Sequence, residues 1–180
     1  MKRLILFLFL GIMVFSSNDK TAAVENFLNN IKEKRIDLAL EYVLNKEEIP
    51  TDINYNNETQ ELVFEALFKN MNYKILNVKN VGNNEAVVMV EIENIDMEEV
   101  FLVLFGNLME KMSADDDNET DEAEMYDELK KIITSKHVPK NRIKTEFKVK
   151  KTEDGYKIDL APENINTMFG NVGKLAENNE

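Results

Sequence analysis

The stretch NRIKTEFKVKKTEDGYKIDL, residues 141–160, carries the clearest structural signal in this chain. Apolar or β-branched residues alternate with charged ones over residues 141–151, which predicts a strand with one buried face. Asp154-Gly155 then favours a tight turn, because such dipeptides tolerate the backbone angles that hairpin turns require. Tyr156, Ile158 and Leu160 predict the returning strand. The stretch therefore predicts an antiparallel β-hairpin.

A second hairpin is predicted upstream, with strands over residues 73–81 and 85–93 joined at Gly82-Asn83-Asn84. The face of its second strand that is predicted to be buried carries Ala86, Val88, Val90 and Ile92. The opposite face of that strand holds Val87 and Met89, so we expect the middle of the opposite face to be covered as well.

Six further segments place apolar residues at the three- and four-residue spacing of amphipathic helices. In the third of them, the predicted inward face consists of Leu62, Val63, Ala66, Leu67 and Met71. The chain order is ααα-ββ-αα-ββ-α, and helices segregated from antiparallel strands define the α+β class. The six predicted helices cover residues 23–31, 36–43, 58–70, 96–112, 122–135 and 163–169.

The N-terminus has the layout of a secretory signal peptide over residues 1–16. Lys2 and Arg3 precede an apolar run over residues 4–15, and small residues follow at Ser16 and Ser17. Twelve helical residues span roughly 18 Å, less than the ~30 Å of a bilayer core. We expect cleavage after Ser16, with an uncleaved short membrane anchor as the alternative. Residues 17–172 then form one domain and residues 173–180 a polar tail.

Composition limits the partners of the mature chain. Without Lys2 and Arg3 it has 20 basic and 34 acidic residues, a formal charge of −14. Such a chain should repel nucleic acid and anionic lipid. We therefore expect it to associate with a membrane only if the N-terminal segment stays uncleaved. The chain has no cysteine, which excludes thiol catalysis, disulfides and thiolate zinc sites.

An acidic segment at residues 115–124 is the sharpest local feature, because seven of its ten residues are acidic. Carboxylates are the ligands that calcium prefers, which suggests a weak extracellular calcium site. Counted from Asp117, however, the sixth position of a calcium-binding hand is Glu122, where that motif needs glycine. The pattern favours a solvated acidic loop and assigns no metal ligand.

Other candidate sites also have simpler explanations. His137 is the only histidine and lies beside Pro139, which favours a surface turn over catalysis. Gly170 and Gly173 follow no strand, so no nucleotide site is indicated. A basic row on one strand face resembles a polyanion site, but Glu91, Glu93 and Glu146 are expected to neutralise it. The row consists of Lys140, Arg142, Lys144, Lys148 and Lys150.

Residues 100–105 are apolar on all sides of the predicted fourth helix, which predicts deep burial. Presentation of Phe101 and Phe105 to a partner is the alternative, and a core position is favoured. No catalytic, cofactor-binding or metal-ligating residue is assigned.

Several short patches resemble the nuclear transport factor 2-like superfamily. Residues 24–28 with 36–43 are similar to the opening of such domains, and residues 147–158 to their closing hairpin. Residues 68–75 and 94–97 look more narrowly like uncharacterised bacterial envelope proteins, many of them lipoproteins. The resemblance covers roughly residues 20–172 and departs from the lipoproteins in having no lipobox cysteine.

That superfamily has a cone fold, in which a curved sheet wraps around a helix and encloses a pocket. The signal peptide predicts a secreted or cell-envelope domain, and since fold resemblance does not carry activity and no catalytic residue is assigned, we expect it to bind an unknown extracytoplasmic ligand or protein without catalysis. Two alternatives stay open: an enzyme using the pocket for acid–base chemistry on a small apolar molecule, and a calcium-dependent adhesion or structural module built on residues 115–124.

Overall fold

The computed structural model describes residues 19–48, 54–114 and 121–170, except the side chains of residues 112 and 114. The signal segment, most of the acidic segment and the tail lie outside these ranges. The predicted element order is confirmed in the described part, which adds one short 3-10 helix, Lys46–Glu48. The helices are α1 (Asp19–Lys32), α2 (Ile36–Leu40), α3 (Glu58–Asn70), α4 (Met97–Ala114), α5 (Glu122–Ile133) and α6 (Pro162–Met168), and the strands are β1 (Asn72–Asn80), β2 (Glu85–Ile95), β3 (Lys140–Thr152) and β4 (Gly155–Asp159).

The four strands form one antiparallel sheet in the order β1-β2-β3-β4. It is a curved, unclosed sheet over helices, as the α+β prediction requires. The alternation on β2 and β3 is confirmed, because Val88, Val90, Phe147 and Val149 are fully buried. On the opposite face, Val87 and Met89 are half-buried, and the register places Val87 beside Lys148 and Met89 beside Glu146.

Helix α1 lies against the buried face of the sheet and fills the cone. Its Val24, Phe27 and Leu28 are almost fully buried, and the Phe27 ring packs edge-on against Phe147 at 6.2 Å between centroids. This cluster also takes in residues from α2, the end of α3 and α6. The cone interior is therefore largely packed by its own side chains.

A second apolar cluster lies outside the cone, between α3, α4 and α5. Helix α3 serves both clusters, so its predicted single inward face was incomplete. Leu67 packs into the second cluster, whereas Phe68 and Met71 pack into the cone. Two-sided packing spreads apolar residues around the helix and blurs the one-stripe pattern on which the prediction rested.

Deep burial of residues 100–105 is wrong for part of α4. Val100 and Leu104 are buried, but Leu102 is 63% exposed and Phe105 58%. The helix packs on α5 and α3 through one face only, so its other apolar face meets no described element. In the ranges described, no helix is both long and apolar enough to cross a membrane.

Two buried asparagines, which the sequence analysis missed, join α6 to the sheet. The Asn94 amide donates to the Met168 carbonyl at 2.6 Å. Asn164 donates to Thr145 Oγ1 at 2.9 Å and to the Glu146 carbonyl at 3.0 Å. Because buried polar groups need partners, these bonds fix the position of α6 against β2 and β3.

Candidate functional site

An apolar pocket of about 270 Å³ opens between α1, α2, α3 and α6. Its walls come from helices at both ends of the described chain, which the sheet and the asparagine bonds bring together. Five of its lining residues are aromatic, and polar groups are few. The lining consists of Phe27, Ile31, Ile36, Leu40, Asn54, Tyr55, Gln60, Phe64, Phe68, Leu160, Ile165, Met168 and Phe169.

Phe64 is the centre of the aromatic wall. Its ring stacks on Tyr55 at 6.1 Å between centroids and meets Phe169 edge-on at 5.8 Å. Phe68 and Phe169 also meet at right angles, at 5.5 Å. Offset and edge-to-face arrangements stabilise aromatic pairs beyond the area they bury. The wall is therefore held in place before any ligand arrives.

The polar groups of the pocket are Asn54, Tyr55 and Gln60, all from one stretch of chain. Gln60 uses its side-chain carbonyl to accept from the Asn56 backbone N–H at 2.6 Å. Tyr55 donates its hydroxyl to Glu65 Oε1 at 3.3 Å. Burial, and then the charge of Glu65, raise the pKa of Tyr55, so its hydroxyl stays protonated.

Glu65 lies outside the pocket lining and is already paired. Both of its carboxylate oxygens accept from Lys34 Nζ at 2.8 Å. No aspartate or glutamate contributes to the pocket among the residues the structure describes. The pocket thus offers apolar contacts and a few hydrogen-bonding groups.

No family model and no curated protein matches this sequence. Among solved structures, the fold is similar to that of the "putative lipoprotein" ycdA of Bacillus subtilis, with a TM-score of 0.52 and 14% identity. The match covers 88% of this chain and 55% of that one, so this chain spans about half the length of that neighbour. A ketosteroid isomerase-like protein of Erwinia carotovora atroseptica matches with a TM-score of 0.36 and 13% identity, over 77% of this chain and 87% of that one.

The second similarity has too low a TM-score to bear on the fold, so only the first does so. At 14% identity the first similarity shows a shared fold and nothing about activity.

A larger cleft of about 570 Å³ lies near the pocket and holds Lys32, Lys34 and Lys69. Lys34 is paired with Glu65, and Lys32 donates to Asn72 Oδ1 at 3.0 Å. Lys32 and Lys69 also lie in the last turns of α1 and α3, where the negative end of the helix dipole stabilises a cation. The ion pair of Lys34 and the helix-end positions of Lys32 and Lys69 therefore explain why three lysines lie in the cleft, and no anionic ligand is needed to explain them.

The basic row on β3 is neutralised in part, by Glu93 as predicted and by Asp159 of β4, which was not predicted and pairs with Lys150 at 3.2 Å. Arg142 donates to Glu93 at 2.5 Å, which lowers the pKa of the Glu93 carboxyl, and Lys144 faces Glu91 in the register. Glu146 was the wrong partner, because it lies on β3 itself and faces Met89.

Part of the acidic segment is described, and its carboxylates have structural roles. Asp121 caps α5 by accepting from the Glu124 backbone N–H at 2.7 Å, and Glu124 pairs with Lys111 at 3.0 Å. Glu128, the twelfth position counted from Asp117, is held by Asn107 at 2.8 Å. Residues 115–120 of the calcium hypothesis lie outside the described residues. His137 is exposed, as predicted.

Proposed function

We propose that this chain is a non-catalytic binding domain of the nuclear transport factor 2-like superfamily that acts outside the cytoplasm. Its ligand would be a small, mainly apolar molecule carrying one polar group. The observation behind this proposal is the aromatic pocket, with polar groups confined to the stretch Asn54–Gln60. Binding pockets commonly have apolar walls with a few placed polar groups, which is the arrangement seen here.

The size of the pocket narrows the ligand class. Pockets for drug-sized molecules usually measure about 300–1,000 Å³, so 270 Å³ is near the lower limit. A single ring with one hydroxyl or amide group fits such a volume. The ring would pack against Phe64 and Phe169, and the polar group would reach Tyr55 or Gln60.

Binding is preferred to catalysis because of the side chains that the pocket lacks in the described residues. Acid–base chemistry needs a proton-transferring group within hydrogen-bond reach of the substrate. The lining has no carboxylate, and the Tyr55 hydroxyl, which its raised pKa keeps protonated, cannot take up a proton at neutral pH. We therefore keep the enzyme only as an alternative, and no observation favours it.

The extracytoplasmic location rests on the N-terminal sequence, and the fold shared with the Bacillus protein is consistent with it. Without a lipobox cysteine, the chain would be either secreted freely or retained by its uncleaved apolar segment.

Benzyl alcohol, an aromatic ring with one hydroxyl group, is a suitable probe. Titration followed by amide NMR should give saturable shifts confined to the segments that line the pocket, which are parts of α1, α2, α3 and α6 together with Asn54, Tyr55, Leu160 and Phe169. Ile165 and Leu44 are matched for exposure, at 36% and 39%, but only Ile165 lines the pocket. Ile165→Glu should abolish the shifts, and Leu44→Glu should leave them unchanged. Shifts that persist in Ile165→Glu, or that scatter over the surface, would exclude the pocket as the binding site.

A further inference from the structure

The exposed face of α4 carries an apolar stripe made of Leu102, Phe105 and Met109. Their exposed fractions are 63%, 58% and 63%, so all three side chains lie mostly in solvent. Spacings of three and four residues place them in one row along the helix. A contiguous exposed apolar row of this kind marks an interaction surface more often than an isolated exposed side chain does.

The orientation of the stripe is fixed by polar contacts on the other side of α4. Asn107 donates to Glu128 Oε1 at 2.8 Å, and Lys111 bonds Glu128 Oε2 at 3.3 Å. Glu128 lies on α5, so these contacts hold α4 and α5 in one rotation relative to each other. Val100, Leu104 and Leu108 are thereby buried, and the stripe is held facing outward.

Helix α4 also leaves room for close approach along the stripe. Gly106 lies next to Phe105, and a Cβ atom placed on it would meet nothing within 4 Å. A partner helix packs at about 8–10 Å between axes, and small residues permit the shorter of these distances. Phe105 would then serve as the aromatic anchor, the residue type that commonly dominates binding energy.

The charges around the stripe indicate what the partner carries. The exposed acids of α4 are Glu98, Glu99 and Glu110, and its single cation, Lys111, is held by Glu124 and Glu128. A second copy of this chain would bring these acids together, and an anionic bilayer would also be repelled. A partner with apolar residues flanked by lysine or arginine would complement both the stripe and its acids.

We propose that α4 docks a cationic amphipathic helix of a partner protein along Leu102, Phe105 and Met109. The proposal is independent of the pocket, since it rests on a different cluster and a different face.

The test uses the full chain and a fluorescent peptide of leucine and lysine patterned as an amphipathic helix. A shuffled peptide of the same composition controls for attraction by the net negative charge. Fluorescence anisotropy should show saturable binding of the patterned peptide and much weaker binding of the shuffled one. Phe105→Ser should raise its Kd by at least about tenfold, as expected when a central aromatic anchor is lost.

Val81→Ser is the matched control, because Val81 is 54% exposed and lies in another part of the fold. It should change the Kd by less than about twofold, as surface substitutions away from an interface normally do. Equal binding of both peptides, or unchanged binding to Phe105→Ser, would overturn the proposal. A dimer in analytical ultracentrifugation that Phe105→Ser dissociates would assign the stripe to self-association instead.

Discussion

Two glycines of this chain should respond in opposite directions to the same substitution, alanine. Gly170 follows α6 with φ at +64°, a left-handed conformation that costs an L-residue roughly 1–2 kcal/mol. A Cβ atom there would also lie 2.4 Å from the Ile95 carbonyl oxygen, a backbone atom that cannot rotate away. Overpacking of this kind typically costs another 1–3 kcal/mol. The total for Gly170→Ala is therefore about 3 kcal/mol.

Gly106 is the matched control, since it lies within α4 with open space around it. Replacing an exposed helical glycine with alanine stabilises a helix by about 1 kcal/mol. For a domain of this size, about 1 kcal/mol shifts Tm by roughly 2–4 °C. Gly170→Ala should thus lower Tm by roughly 6–12 °C, and Gly106→Ala should raise it by roughly 2–4 °C.

Differential scanning calorimetry of the three proteins measures both shifts under one condition. Urea unfolding with unchanged slopes would show that the variants differ in stability and not in compactness. A Tm for Gly170→Ala equal to that of the parent chain would refute the steric reasoning. A Tm for Gly106→Ala at or below that of the parent chain would refute the helix-propensity argument.

Three further outcomes are expected. Hydrogen bonds from Asn107, Lys131 and Lys111 lower the pKa of Glu128, so its stabilising contribution is present above the ordinary value of 4.5 and is lost as pH falls through the lowered one. Urea unfolding should show Glu128→Gln less stable than the parent at neutral pH, with the gap narrowing as pH falls below 4.5; a pH-independent gap would contradict this. Thermal melts in millimolar calcium and in chelator should give the same Tm. A Tm raised by calcium would support the calcium hypothesis for residues 115–124. Mass spectrometry of the exported protein should give Ser17 as the first residue, and an intact N-terminus would favour the anchor.

The elements could be predicted from sequence because each has a local cause. Residues 141–160 alternate with period two around Asp154-Gly155, and the structure has β3 and β4 there. Asp96 accepts from the Glu99 backbone N–H at 3.2 Å and so caps the start of α4, as an aspartate just before a helix commonly does. Periodicity, turn chemistry and caps involve neighbouring residues, so they survive in a single sequence.

The resemblance implied a pocket, but the residues that line this one could not be predicted, because its walls come from segments more than a hundred residues apart. Phe27 and Phe169 share it only because α6 is tied to the sheet by Asn94 and Asn164. Neither asparagine stands out in the sequence, where both occur among ordinary polar residues. The exposure of Phe105 was the less favoured alternative for a related reason, since an all-apolar helix face is indistinguishable from a core face until its neighbours are known.

The pocket is lined by residues of the first apolar cluster, whereas the stripe lies on the exposed face of α4, whose buried face packs into the second cluster. Surface changes in one, such as Ile165→Glu, should therefore leave the other intact, because distant sites without shared partners behave additively. Gly170 is the exception, since the neighbouring Phe169 packs against both clusters and lines the pocket. A displaced Phe169 would disturb the aromatic wall and the support of α3 together. Gly170→Ala should accordingly weaken the binding of both benzyl alcohol and the patterned peptide. Ile165→Glu should weaken only the binding of benzyl alcohol, and Phe105→Ser only that of the peptide.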